Sequence, residues 1–268
     1  MEGKIMEKTV YQLIVLTSVI HLVDTLAYSV RLNAVKTGQF ALSISLFNIF
    51  VLISRTANTF QAPLIGSLIG KSITSNIDPT LQLRLVIFSA TLGTLIGIIL
   101  IPTFLKIFNK VIKRLGSSGS IPAIIIGAFQ ISNIKRFVKT TVRPSKKMLH
   151  NLKFAHIPKT LLFLNVVITG IYTIGVLSAN YSATFVAEEQ RLAAAASAGM
   201  INGIATILLT LFIDPKAAII TDQALKGERP YEDVKTLVLL LIVTKLLGTI
   251  LGQFLLIPSA ELIAKIYR

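Results

Sequence analysis

The chain has 268 residues and a formal net charge of +15, with 53% hydrophobic and only 15% charged residues and a mean hydropathy of +0.74. Because a soluble domain of this length exposes far more charge, the composition excludes a soluble globular protein and predicts a membrane protein. The sequence has no cysteine, which excludes disulfides, thiolate catalysis and cysteine-ligated metals.

Six stretches are apolar and long enough, at about 20 residues, to cross a bilayer as helices. The N-terminus MEGKIMEKTV has no net charge, so it makes a poor signal peptide and we predict that the first span is retained. The short apolar segment 61–73 either lies at the interface or extends the second span. The predicted spans are residues 10–32, 39–60, 83–108, 160–180, 193–213 and 234–257.

The first span carries a polar stripe. Its members are spaced three, four and three residues apart, which places them on one helix face; they are His21, Asp24, Tyr28 and Arg31. A charge at the centre of a membrane helix costs about 2.5–3.5 kcal/mol. We therefore expect this face to turn towards protein or water, with His21 and Asp24 as ion-pair or coupling residues. The alternative for Arg31 is that it reaches the membrane surface with its long side chain.

The second span repeats this arrangement. Asn48, Arg55 and Asn58 are spaced seven and three residues apart on one face, and Gln61 follows at the end of the span. If the two stripes face each other, Asp24 has Arg55 or Arg31 as its partner. The alternative for Arg55 is again an arginine that extends to the nearby surface.

The positive charge is concentrated between the third and fourth spans. From Lys106 to Lys159 there are twelve Lys or Arg and no acidic residue. Cations between hydrophobic spans are typical of a cytoplasmic loop that faces anionic lipid, so we expect no nucleic acid partner. Counting back three spans places the N-terminus outside. Segment 121–142 is predicted to be an amphipathic surface helix, with a seventh span as the alternative.

The fifth span begins with VAEEQRLAAAASAG, residues 186–199. Glu188 is a candidate ion-pair residue, although Glu188, Glu189 and Arg191 also fit the solvated start of a helix on the outer side. The small residues that follow permit close helix packing, which allows a homodimer without requiring one.

The two halves of the chain resemble each other. LGTLIGIILIP (92–102) matches LGTILGQFLLIP (247–258) with one residue inserted, and DTLAYSV (24–30) aligns more weakly with YTIGVLS (172–178), as does Pro63 with Pro215. The alternative is that apolar helices are alike by composition. With three spans in each half, a duplication puts the second copy upside down in the membrane, as in many transporters.

We therefore predict an all-α polytopic membrane protein with about six transmembrane helices, arranged as two three-helix inverted repeats. Residues 1–113 form the N-terminal repeat, 114–158 the basic cytoplasmic connector and 159–268 the C-terminal repeat. The sequence contains no GxSxG or HExxH pattern and no P-loop. We expect no enzyme activity, no cofactor and no metal site, and we expect transport to use an ion gradient, the membrane potential or the lipid gradient.

Two arginines with amide and hydroxyl neighbours suit a phosphate or another anion, and a groove between apolar helices suits a lipid tail. Together these features predict an amphiphilic substrate with an anionic head group. A secondary transporter of a small anionic solute satisfies the same pattern.

Residues 24–67, DTLAYSVRLNAVKTGQFALSISLFNIFVLISRTANTFQAPLIGS, resemble the signature region of the Amj family. The blocks DTLAYSVRL and SLFNI…SRTAN…QAPL carry the likeness, while Lys36 stands where the family suggests an arginine. The family comprises alternate lipid II flippases of Firmicutes, functionally parallel to MurJ. The resemblance implies a cell-membrane protein that moves lipid II, an undecaprenyl-pyrophosphate-linked peptidoglycan precursor, between the leaflets. The candidate substrate-binding residues are Tyr28, Arg31, Asn48, Arg55, Asn58 and Gln61, and the candidate coupling or ion-pair residues are His21, Asp24 and Glu188.

Overall fold

The computed structural model describes residues 2–118, 152 and 154–268, and over these residues the chain is helical without strands. The first three helices, α1 to α3, precede the basic connector, and four more, α4 to α7, follow it. Their bounds are Glu2–Thr37 (α1), Phe40–Thr74 (α2), Thr80–Ser118 (α3), Lys159–Ser182 (α4), Arg191–Leu208 (α5), Asp214–Leu225 (α6) and Tyr231–Tyr267 (α7).

Within the described ranges, six helical stretches are long and apolar enough to cross a membrane, which confirms the predicted number of spans. Segment 61–73 continues α2 without a break past Pro63, so it extends the second span. The surface helix or seventh span predicted for 121–142, and most of the connector 114–158, lie outside the described residues. The six stretches are Glu7–Thr37, Phe40–Thr74, Thr80–Lys110, Lys159–Ser182, Glu188–Leu225 and Tyr231–Tyr267.

The fifth span contains a π-helical turn within a continuous helical stretch. It consists of α5, the π turn at Leu209–Ile213 and α6, which begins at Asp214. Pro215, the second residue of α6, has no N–H to donate to the turn before it, so the regular hydrogen-bond pattern changes at this point. Single π turns inside α-helices are frequent at functional sites.

The helices pack in two groups that meet along α3 and α7. Helix α1 packs against α2 and α3, and α4 packs against α5 and α7. At the junction, Arg84 Nη1 donates to the backbone carbonyl of Gln253, and Gln253 Nε2 donates to the backbone carbonyl of Arg84, each at 2.9 Å. Further along, Thr91 Oγ1 donates to Thr249 Oγ1 at 3.1 Å. Because residue numbers increase along α3 as they decrease along α7, these two helices are antiparallel.

Glycines allow close helix crossings within each group. A Cβ atom added to Gly93 on α3 would overlap the carbonyl group of Ser18 on α1. A Cβ atom at Gly248 on α7 would lie 2.7 Å from the carbonyl oxygen of Val166 on α4. Both glycines belong to the matching LGT segments, so the two crossings occupy equivalent positions in the two halves.

The next glycine of each segment makes a second equivalent crossing. A Cβ at Gly97 would lie 2.8 Å from Thr25 Cβ, and one at Gly252 would lie 3.1 Å from Ile174 Cγ2 and 3.4 Å from Thr173 Cγ2. Thr25 and Thr173 are aligned in the weaker match between DTLAYSV and YTIGVLS. The contacts between helices therefore follow the same pairing as the sequence match.

Replacing Gly93 with alanine is expected to destabilise the protein by about 1–3 kcal/mol, because the added methyl group has only backbone to displace. Gly203→Ala is the matched control, since nothing lies within 4 Å of a Cβ there and alanine favours a helix. The measurement is the midpoint temperature of thermal unfolding in detergent, and unfolding is monitored as the loss of the monodisperse peak. Equal midpoints for the two variants would contradict the close crossing.

Candidate functional site

A cavity of about 40 Å³ lies between the two groups of helices. This volume has room for a few water molecules and none for a sugar. The ionisable side chains that line it come from five helices; they are His21, Asp24 and Tyr28 of α1, Arg55 of α2, Tyr172 of α4, Asp214 of α6 and Lys245 of α7. The cavity is therefore a small site within the helical bundle at which several charged side chains converge.

Asp24 forms an ion pair with Lys245, and not with either arginine as the sequence suggested. The carboxylate oxygen Oδ2 lies 3.6 Å from Lys245 Nζ, and the same Nζ donates to the His21 carbonyl at 3.1 Å. Lys245 is only 2% exposed. Since a lone charge at this depth would cost several kcal/mol, the pair explains how both groups are tolerated.

Arg31 is paired with Asp214 across the two groups. Its Nη2 donates to Asp214 Oδ1 at 3.0 Å, and its guanidinium carbon lies 4.3 Å from the centroid of the Phe47 ring. Arg31 is 1% exposed, so the interpretation that it extends to the membrane surface is wrong. Its Nε and Nη1 have no hydrogen-bond partner among the described residues, which leaves donors available if the surroundings change.

Arg55 is the cation of the cavity that lacks a carboxylate partner. Its guanidinium carbon lies 3.9 Å from the centroid of the Tyr172 ring, and no carboxylate of the described residues lies within 4.0 Å of its nitrogens. Nε and Nη1 of Arg55 also lack hydrogen-bond partners in this part of the chain. The face of an aromatic ring stabilises a cation without neutralising it, so Arg55 remains free to bind an anion.

A hydrogen-bond network fixes the position of α1 against α4 and α7. Tyr28 donates from its hydroxyl to Asn165 Oδ1 at 3.2 Å. Asn165 Nδ2 donates in turn to the Leu241 carbonyl at 2.9 Å and to Thr244 Oγ1 at 2.8 Å. Tyr28 therefore uses its hydroxyl to position helices around the cavity.

Four predicted residues lie away from this cavity. Asn48 is exposed, because the cavity face of α2 is formed by Phe47, Val51 and Arg55. Glu188 is also exposed, in a 3₁₀ turn before α5. The remaining two are buried on α2 beyond Arg55: Gln61 donates from Nε2 to Thr17 Oγ1 of α1, and Asn58 does not line the cavity.

The sequence interpretation missed two charged residues of the site. Lys245 is a single lysine within the apolar segment LLLIVTKLLGTILG, and the cost argument applied to Asp24 applies equally to it. Asp214 was considered only through its alignment next to Pro215. Asp214 directly follows the predicted span 193–213, and a carboxylate next to the end of an apolar segment was a signal available in the sequence.

Comparison with known proteins gives one family for nearly the whole chain. The family model described as Amj, Alternate to MurJ, matches residues 16–267. A curated relative, the Lipid II flippase Amj of Bacillus subtilis (strain 168), is 39% identical over 249 residues, which is 91% of each chain. No solved structure matches.

Proposed function

The chain belongs to the Amj family, and we propose that it is a lipid II flippase that moves the undecaprenyl-pyrophosphate-linked peptidoglycan precursor across the cytoplasmic membrane. The name of the relative from Bacillus subtilis supports the substrate, and the six apolar helices support a multi-pass membrane protein. On this proposal the protein is a transporter and not a catalyst.

The observation that carries the proposal is the unpaired guanidinium of Arg55 in a polar cavity at membrane depth. A pyrophosphate offers several anionic oxygens, which match the planar fork of donors on an arginine. Arg55 is proposed to bind the pyrophosphate first. Arg31, with two free donors, joins it when its pair with Asp214 opens.

The cavity is too small for the head group of the substrate, so this conformation is proposed to be a closed one in the transport cycle. Alternating exposure is proposed to come from two inverted repeats, residues 1–113 and 159–268, that rock against each other. The equivalent glycine crossings and the antiparallel contact of α3 with α7 support this arrangement.

The basic connector supports an orientation with residues 114–158 in the cytoplasm and the N-terminus outside. In that orientation α1 runs inwards, and Arg31 lies about 10 Å closer to the cytoplasm than Asp24 at 1.5 Å per residue. The pair of Arg31 with Asp214 is then proposed to close the cytoplasmic side, since it joins helices from both repeats.

The pair of Asp24 with Lys245 is proposed to supply a counter-charge or a proton site that resets the cavity. Asp24→Asn and Lys245→Met are each expected to reduce transport at least tenfold, because each leaves one buried charge uncompensated. The double variant removes both charges, so it is expected to recover the stability of the wild type. Transport measured in the double variant then separates a structural pair from a functional one: recovered transport shows a structural pair, and lost transport with normal stability shows that the charges themselves act in transport.

The proposed function is tested by the exposure of lipid II at the outer surface of cells depleted of their other flippases. Expression of this chain is expected to restore surface-accessible lipid II and growth. Uptake of a small anionic solute into vesicles, with no change in lipid II exposure, would instead identify a small-anion transporter.

A further inference from the structure

A second, larger cavity opens at the end of the molecule opposite to Arg31. Its volume is about 390 Å³, roughly ten times that of the polar cavity around Arg55. The C-terminal half of α2, the end of α4 and the start of α5 form its walls, and we name it the Arg191 cavity. Its lining includes Gly66 and Gly70 of α2, Asn180 of α4, and Arg191, Leu192 and Ala195 of α5.

The Arg191 cavity is separate from the site already described. Gly66 follows Arg55 along α2 by about 16 Å, at 1.5 Å per helical residue. The only lining helices common to both cavities are α2 and α4. The two cavities therefore lie at different depths along the same pair of helices.

Arg191 resembles Arg55 in its electrostatic surroundings. No carboxylate among the described residues lies within 4.0 Å of its nitrogens, and its Nε is buried without a hydrogen-bond partner there. The neighbouring Glu188 and Glu189 are exposed at the surface. An unneutralised guanidinium that borders a cavity of this size suits an anionic group with several oxygens.

Polar groups also occur between the two cavities. Asn202 of α5 places Oδ1 directly over Gly175 of α4, where a Cβ atom would overlap it. This Oδ1 is buried and has no partner among the described residues.

Apart from Thr74 and Asn180, the other lining residues of the Arg191 cavity are apolar or small. Leu192 is 82% exposed, and the two spans that flank the cavity, the second and the fifth, are the least buried of the six. A cation beside an opening between lipid-facing helices fits a ligand whose charged end is bound while its hydrocarbon remains in the membrane.

We propose that the Arg191 cavity is a second binding site for a pyrophosphate carried on a polyprenyl chain, occupied after the group leaves Arg55. The identity of the chain rests on the proposed function, whereas the binding of pyrophosphate rests on the cavity and Arg191 alone. Two anion sites at different depths divide the passage of the charged group into two shorter steps.

The absence of cysteine permits a direct test, because one introduced thiol is the only reactive thiol in the protein. Ala195→Cys and, in a second protein, Gly70→Cys place a thiol in the cavity wall. Each purified protein is treated with a water-soluble methanethiosulfonate, alone and with inorganic pyrophosphate, a polyprenyl pyrophosphate in micelles or the matching polyprenyl alcohol. Arg191→Gln is then combined with each cysteine substitution. Lys265→Gln, which removes an exposed charge on α7, is the matched control.

Polyprenyl pyrophosphate is expected to slow modification by about tenfold at ten times its Kd, and the alcohol is expected to give no protection. Arg191→Gln should remove the protection, whereas Lys265→Gln should retain it. Unreactive thiols at both positions, or protection that survives Arg191→Gln, would overturn the site. Equal protection by free pyrophosphate at equal concentration would overturn the preference for a lipid-linked group.

The binding test and the test of function fail separately. Protection that depends on Arg191, in a protein that does not restore lipid II exposure in cells, would remove the proposed function and leave the anion site. Restored exposure with no protection would leave the function and remove the site.

Discussion

Exchange of Arg55 for glutamate is expected to abolish rescue of cells that lack other lipid II flippases, with the level of folded protein unchanged. No carboxylate in the described part of the chain lies within 4.0 Å of the Arg55 nitrogens, so its loss breaks no close ion pair and only weakens a longer-range attraction to Asp24. A hydrogen bond to a charged group contributes about 1.5–3 kcal/mol, and reversal adds repulsion between the carboxylate and the pyrophosphate. Transport should therefore fall at least about a hundredfold.

The controls separate charge from geometry. Arg55→Lys keeps the charge but lacks the planar fork, so it is expected to retain part of the activity. Lys265→Glu makes the same charge reversal at an exposed position on α7 and should have little effect. The measurement is lipid II exposure at the cell surface, normalised to the amount of monodisperse protein. Rescue by Arg55→Glu would refute the role of Arg55 as an anion site.

Arg31→Ala is expected to lower the stability of the protein, whereas Arg55→Glu is expected to lower transport and leave the amount of folded protein unchanged. The variant leaves Asp214, which is 25% exposed, without its partner. Breaking a fully buried pair costs about 3–5 kcal/mol, and the cost here is expected to be smaller because water in the adjacent cavity can solvate the Asp214 carboxylate. Thermal unfolding in detergent should begin at a clearly lower temperature, and less protein should reach the membrane.

A double variant tests whether the loss of the charge pair is the cause of the lower stability. Arg31→Met combined with Asp214→Asn removes both charges, so it is expected to be more stable than either single variant. If Arg31→Ala unfolds at the same temperature as the wild type, the contact with Asp214 contributes nothing to stability. Loss of transport in a stable double variant would support a second role for Arg31 in binding the substrate.

Hydropathy was sufficient to locate the membrane spans, because about 20 apolar residues have few alternatives to a crossing helix. It did not give the lengths of the helices: α2, for example, continues to Thr74 because Pro63 is tolerated inside it. Hydropathy gave a single fifth span, as observed, but it did not show the π turn between α5 and α6 or the continuation of the helix to Leu225. Apolar content measures affinity for lipid and carries little information about a local change in the hydrogen-bond pattern.

The polar face of α1 was predictable from its spacing, and His21, Asp24 and Tyr28 line the cavity together. The partners were not predictable, because an ion pair depends on which helix packs opposite. Asp24 had two arginines nearby in the sequence, yet it pairs with Lys245, more than two hundred residues away. Periodicity along one helix contains no information about such contacts.

On α2, spacing alone gave an incorrect face for one residue. Asn48 and Arg55 are seven residues apart, so their directions differ by only about 20°. The offset of Asn48 is on the side of Arg55 away from Phe47 and Val51, which lie about 80° and about 40° from Arg55 in the other direction. Arg55 is therefore at the edge of the face that reaches the cavity, and Asn48 is beyond that edge and exposed. The pattern gave the general side of the helix, and packing selected the residues that reach the cavity.

The unpaired state of Arg55 also has an electrical consequence. Three cations, Arg31, Arg55 and Lys245, face two carboxylates, Asp24 and Asp214, so the site carries a formal charge of +1. A pyrophosphate diester brings two negative charges, so the occupied site has a net charge of about −1. The charges of the protein return to their starting positions in every transport cycle, so over a full cycle the membrane potential acts on the charges of the substrate. In a cell with a negative interior, outward movement of the two pyrophosphate charges releases about 4.6 kcal/mol per 100 mV, at about 2.3 kcal/mol for each charge. A change in charge at position 55 would therefore alter the affinity for the substrate and leave this overall driving force unchanged.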